Sequence, residues 1–140
     1  MSAADGRDDD AALVARALAA RDLAYAPYSH FLVGVALVAD DGTVFDGANV
    51  ENASYGLSIC AERNAVARMV LAGHRAIRAV YVATTTSPPA TPCGMCRQTL
   101  LEFAPDPAAV RVVAVNPAGE RAEWTLAALI PAGFTGAQLG

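Results

Sequence analysis

Apolar positions change period several times along the chain, and each change predicts an element. Leu13, Val14, Ala17 and Leu18 recur at helical spacing, which predicts a helix with one buried stripe through about Ala24. Asp8, Asp9 and Asp10 suit the start of that helix and Pro27 ends it. The run 31–39 is short and continuously apolar, as expected of a strand covered on both faces. Asp40-Asp41-Gly42 is a tight turn into a second strand at 43–49, so these two are expected to form a hairpin. A second helix from Cys60 carries Ala65, Val66, Met69 and Val70 on one face and stops at Gly73. A buried strand at 77–83 follows, in the order a right-handed crossover requires.

The stretch 84–92 is a loop leading into a third helix at 93–103, with Leu100, Leu101 and Phe103 inward, and Pro105-Asp106-Pro107 breaks it. Strands at 110–115 and 120–124 are joined by Asn116-Pro117-Ala118-Gly119, far shorter than a parallel crossover needs, so the final pair should be antiparallel. Thr125 is placed to cap a short helix, 126–130, which Pro131 stops. Phe134 lies beyond the last regular element, where a ring either covers the domain's own core or serves an interface or ligand.

Composition narrows the class without changing this outline. A chain of 140 residues makes one domain with a real core, expected at 11–140, behind an acidic, disordered tail at 1–10. The apolar share is 54%, much of it alanine, and no apolar run approaches the roughly twenty residues of a membrane span. The start, Met1-Ser2-Ala3-Ala4-Asp5-Gly6, has no basic stretch followed by an apolar one, which predicts a protein without a secretory signal and a cytoplasmic location. A net charge of −4 argues against an extended polynucleotide footprint, which needs a basic face, and suits a small, roughly neutral substrate. All ten basic residues are arginine, a composition bias with no functional content.

The chemistry sits in three cysteines. Cys60, Cys93 and Cys96 are an odd number in metal-ligand spacing, which argues against a disulfide framework and agrees with a reducing compartment. Cys93 and Cys96 can face one point from the first turn of a helix, and Cys60 opens another helix, where the dipole favours negative charge. A Cys-x-x-Cys pair alone is weak evidence, since redox couples, structural zinc sites and chance together account for most single occurrences. Cys60-Ala61-Glu62 upstream and Pro92 before the pair complete the signature of zinc deaminases, including the three-cysteine form with a glutamate that is not a ligand. Three ligands leave a fourth position for water, the catalytic arrangement, and Glu62 is the candidate proton carrier. Asn49 and Glu51 project to one side of an extended chain, suited either to sugar hydroxyls or to their own turn backbone. His30 and His74 lack metal-type spacing and are assigned outside the site.

Ala24-Tyr25-Ala26-Pro27-Tyr28-Ser29, Phe31-Leu32-Val33-Gly34, Asn49-Val50-Glu51-Asn52-Ala53-Ser54-Tyr55, Cys60-Ala61-Glu62-Arg63 and Pro92-Cys93-Gly94-Met95-Cys96-Arg97-Gln98 together resemble the cytidine deaminase family of the small, homotetrameric kind. The resemblance runs from about Leu13 to Phe134. It implies a three-layer α/β/α fold with a five-stranded mixed sheet; the antiparallel final pair separates it from the branch acting on tRNA or DNA. It further implies one zinc ion per subunit on Cys60, Cys93 and Cys96, proton transfer by Glu62, and hydrolytic loss of ammonia from a cytosine nucleoside. Arg63 would bond the ligand sulfurs and offset their charge, and Arg97 would either assist or form a structural ion pair. Phe31 and Val33 would line the base pocket, with Ala61 also among the substrate contacts, and Asn49 and Glu51 would bind the ribose 3′-hydroxyl. Ala53, Tyr55 and Phe134 would arrive from neighbouring subunits of a homotetramer. Met95 departs from the small residue usual between the paired cysteines. Two rivals are a deaminase of another aminopyrimidine nucleoside such as blasticidin S, and a zinc module without activity.

Overall fold

A computed structural model describes residues 9–140. Helix α1 spans Asp10–Arg21, strands β1 and β2 Gly34–Ala39 and Val44–Ala48, α2 Ala61–Leu71, β3 Ile77–Ala83 and α3 Gly94–Glu102. Strands β4 (Arg111–Val115) and β5 (Arg121–Thr125) and helix α4 (Leu126–Leu129) complete the order. The sheet runs β2-β1-β3-β4-β5, with β3 and β4 parallel and the other neighbours antiparallel, so it is mixed and its final pair is antiparallel as the short connection requires. On one face α1 buries Leu13 and Ala17 against Ala36, Val38, Tyr81 and Val113. On the other, Ala65, Val66 and Met69 of α2 and Leu100 of α3 cover Val35, Leu37, Val80 and Val112. This is the three-layer α/β/α arrangement. No helix among the described residues is long and apolar enough to cross a membrane.

Topology alone brings the cysteines together. Strands β2 and β3 both run antiparallel to β1, so they are parallel to each other and their C-terminal ends lie on the same side of the sheet. Helix α2 follows β2 and α3 follows β3, so both helices begin at that side, where ligands collect in sheets with parallel strands. Cys60 and Cys93 are the residues immediately before these helices, each in extended conformation.

Most boundaries shift by about one residue from the sequence pattern, and two shift by three. Helix α1 ends at Arg21 rather than near Ala24, because Tyr25 is extended and paired, accepting from Glu51 N–H at 2.8 Å and donating to Asn49 C=O at 2.9 Å. Strand β1 begins at Gly34 rather than at 31, because the side chains of Asn49 and Glu51 take up backbone groups of the preceding residues. Asp10 was expected in the tail but opens α1, whereas residues 1–8 of that tail lie outside the described residues.

Asp10 is tied to the far edge of the sheet. Arg121 donates to both of its oxygens at 2.6 and 2.9 Å, and Tyr81 Oη donates to it at 2.5 Å. The Arg121 bonds hold its carboxyl at about 2, below the ordinary 3.8. A depressed carboxyl stabilises the fold above its unfolded value, and that stability is lost as pH falls from 3.8 toward 2. Asp10→Asn should therefore cost about 1 kcal/mol near neutrality, allowing for solvent screening of a part-exposed pair. In urea unfolding, the gap between variant and parent should close as pH drops from about 5 to about 2; a gap constant over that range would show the ion pair to be idle.

Candidate active site

The three sulfur positions converge. The Sγ atoms of Cys60, Cys93 and Cys96 lie within 4.8 Å of one another, and no fourth His, Cys, Asp or Glu joins that cluster among the described residues. A tetrahedral zinc with about 2.3 Å bonds sets sulfurs about 3.8 Å apart, so the donor set fits that ion and leaves one corner open. Burial differs along the trio: Cys96 is buried, Cys60 half-buried and Cys93 exposed. Burial pushes the Cys60 and Cys96 thiols up. It also pushes on Cys93, but hydrogen bonds from the N–H and thiol of Cys96 and the N–H of Met95, at the start of α3, outweigh it and leave that thiol below its usual value. A cation among the sulfurs would favour thiolate at all three positions, since metal ligands bind deprotonated.

Glu62, in the first turn of α2, is only 4% exposed, and burial pushes its carboxyl above the ordinary range. It shares a cavity of about 200 Å³ with the three cysteines. Phe31, Val33, Asn49 and Ala61 line the same cavity. Its remaining walls, Val82, Thr84, Ala90 and Thr91, are residues the motifs did not single out. Their one sequence signal was position, at the end of β3 and in the loop that delivers Cys93.

Asn49 and Glu51 do not bond their own turn, and their partners lie on segment 28–33. Asn49 Oδ1 accepts from Val33 N–H at 2.9 Å, and its Nδ2 donates to Phe31 C=O at 2.8 Å. Glu51 Oε1 accepts from the N–H groups of Tyr28 and Ser29 at 3.0 and 3.1 Å, while Oε2 accepts from the Ser29 hydroxyl. Those donors, the Ser29 hydroxyl foremost, hold the Glu51 carboxyl below the usual range. Glu51 faces a second cavity, with Tyr28, Ser29, Tyr55 and Ser58. Segment 28–33 borders both cavities.

The remaining candidates stand apart from the sulfur cavity. Tyr55 is 73% exposed and pairs with the Tyr28 ring, with centroids 5.9 Å apart. Ala53 is exposed, and so is Phe134 at 56%, whose C=O accepts from Gln98 Nε2 on α3 at 2.7 Å. Arg63 is half-buried, and among the described residues no hydrogen bond joins it to a sulfur. Among the described residues Arg97 makes no hydrogen bond to the sulfurs and no ion pair. Its guanidinium donates to Pro92 C=O at 2.7 Å, Thr91 Oγ1 at 2.7 Å and Leu129 C=O at 2.8 Å, fastening the residues before Cys93 to the end of α4. Met95 is 62% exposed beside the ligands.

A model of the cytidine and deoxycytidylate deaminase zinc-binding region matches residues 7–114. The chain belongs to this deaminase family. Cytidine deaminase of Halalkalibacterium halodurans is 46% identical over 88% of this chain and 92% of its own length. That of Sporosarcina psychrophila is 42% identical over 88% of this chain and 89% of its own. The crystal structure of cytidine deaminase from Burkholderia pseudomallei superposes with a TM-score of 0.83 at 47% identity, covering 89% of this chain and 98% of that one. The family's zinc-binding region and the Cys60, Cys93 and Cys96 cluster agree on one zinc ion as the cofactor of this deaminase.

Proposed function

We propose that the chain hydrolyses cytidine and 2′-deoxycytidine to uridine and 2′-deoxyuridine, releasing ammonia. The observation that carries this is one cavity shared by three converging sulfurs and a buried carboxyl that is not among the ligands. Zinc on Cys60, Cys93 and Cys96 supplies, when bound, the Lewis acidity that makes water nucleophilic near neutral pH. Glu62 takes a proton from the attacking water, delivers it to ring nitrogen 3, and then carries the second proton to the departing amine. Water adds at the carbon bearing the amino group, the carbon–nitrogen bond breaks, and a carbonyl remains. One carboxyl acting as base and then acid works best when its pKa lies near the operating pH, and burial moves Glu62 in that direction.

Counting hydrogen-bond sites supports a sugar role for Asn49 and Glu51. A carboxylate offers about four acceptor sites, and segment 28–33 fills three on Glu51. Asn49 keeps one N–H and one lone pair after its two backbone bonds. A ribose 3′-hydroxyl can donate to the free site on Glu51 and accept from the free N–H of Asn49. Phe31, Val33 and Ala61 supply apolar walls for the base. Arg63, next to Glu62, offsets the charge of three thiolates on one zinc. Ala53, Tyr55 and Phe134 serve neighbouring subunits of a homotetramer in the cytoplasm, which gives their exposed side chains a partner.

Zinc-loaded protein should release one ammonia per cytidine or 2′-deoxycytidine, with matching loss of cytosine absorbance. Robust turnover of blasticidin S with none of either nucleoside would overturn the assignment.

A further inference from the structure

We propose that Ser29 is a positioning residue, whose hydroxyl sets the sugar-reading carboxylate of Glu51 and the base-facing Phe31 in one fixed relation. This rests on the proposed sugar role of Glu51. Residues 28–33 precede β1 and lie in no strand; His30 N–H reaches Ala26 C=O and Val33 C=O accepts Asn49 N–H, and other backbone groups of the segment are met by side chains. The Ser29 hydroxyl supplies one such partner and at the same time engages Glu51. The oxygen accepts the Phe31 N–H at 3.0 Å, and its single proton goes to Glu51 Oε2. His30 lies between at a φ of 58°, the left-handed region that folds the chain back, so the N–H of residue 31 returns to the side chain of residue 29.

The need for such a device follows from where Glu51 lies. Its carboxylate borders an open cavity, where a long acidic side chain would otherwise sample several rotamers, and ordering it would cost entropy on each binding event. Backbone donors from Tyr28 and Ser29 fix Oε1, but among the described residues only the Ser29 hydroxyl fixes Oε2, the oxygen with a site left for a ligand. The same hydroxyl holds the backbone of Phe31, whose C=O is pinned by Asn49 and whose ring faces the sulfur cavity. Ser29 is not among the residues that line the sulfur cavity, so its effect passes through Glu51 and Phe31.

2′-Deoxycytidine and 2′,3′-dideoxycytidine differ only in the 3′-hydroxyl, so the ratio of their kcat/KM values measures how well that hydroxyl is read. Ser29→Ala should lower this ratio about tenfold, the cost of one hydrogen bond to a charged group, mainly through KM for 2′-deoxycytidine. Ser29→Thr, which keeps the hydroxyl, should stay near the parent ratio. Zinc content should match the parent in Ser29→Ala, and turnover of the dideoxy compound, which meets Phe31 but has no 3′-hydroxyl for Glu51, should fall less than that of 2′-deoxycytidine. Ser29→Cys, similar in size but a weak donor, repeats the measurement if the alanine variant folds poorly. Glu51→Gln separates the two ideas. If it collapses the ratio while Ser29→Ala leaves the ratio intact, or reduces both substrates equally, the positioning role is wrong and the sugar role stands. If Glu51→Gln leaves the ratio unchanged, the sugar role fails and takes the positioning role with it.

Discussion

Glu62→Gln should fold, load zinc and deaminate cytidine about a hundredfold to ten-thousandfold more slowly, the usual worth of a positioned acid–base group. The amide keeps the size of the side chain in a cavity where it is 4% exposed, so packing is conserved. It cannot accept the proton of water, and it cannot hand one to ring nitrogen 3. Because the carboxyl is not one of the clustered ligands, zinc content should match the parent protein. Burial already disfavours the charged carboxylate, so thermal stability should hold or rise slightly. Loss should therefore appear in kcat, with little change in KM for cytidine, since proton transfer is realised only in the transition state. Turnover at the parent rate would remove Glu62 from the mechanism, and a parallel loss of zinc would make it a structural residue of the metal site.

Much of this site was legible because its decisive spacings are local. Cys93 and Cys96 are separated by the rise of one helical turn, and Pro92 fixes the chain just before them. The five-residue link between β4 and β5 admitted only an antiparallel pair, and the alternation of strands with helices 61–71 and 94–102 gave the layers. What stayed hidden depends on side chains meeting backbone across long separations. Asn49 and Glu51 reach back 16 to 23 residues to hold segment 28–33, so Phe31 and Val33 look like strand yet are held by side chains. Arg97 reads as a companion of the sulfurs because it adjoins Cys96 in sequence. Its side chain runs instead to Thr91, Pro92 and Leu129, a contact set by the packing of α4 that no spacing announces. Ser29 carried no catalytic pattern, and its importance follows only from which carboxylate it meets.

Gly47→Ala should weaken zinc binding and lower kcat together, without touching a ligand. A Cβ at Gly47 on β2 would lie 2.3 Å from Ala61 C=O, 2.8 Å from Ala65 N and 2.9 Å from Ala65 Cβ. These are rigid atoms at the start of α2, and both alanines are fully buried, so the helix has to lift off the strand. Cys60 and Glu62 ride on that end of α2, while Cys93 and Cys96 ride on α3. Moving one sulfur and the proton carrier relative to the other two sulfurs spoils the trio even though all four residues are intact. A displacement of about 1 Å near reacting groups can cost on the order of a hundredfold in rate, and overpacking typically costs about 1–3 kcal/mol of stability. Gly34→Ala is the matching control, because its Cβ would strike Arg21 N at 2.1 Å and Ala17 C=O at 2.2 Å on α1, which carries no ligand. The two variants should lose similar stability in urea unfolding, but only Gly47→Ala should surrender zinc to a competing chelator at a lower concentration. If Gly47→Ala instead kept the zinc affinity and kcat of Gly34→Ala, the seating of α2 on β2 would not be what aligns the sulfurs.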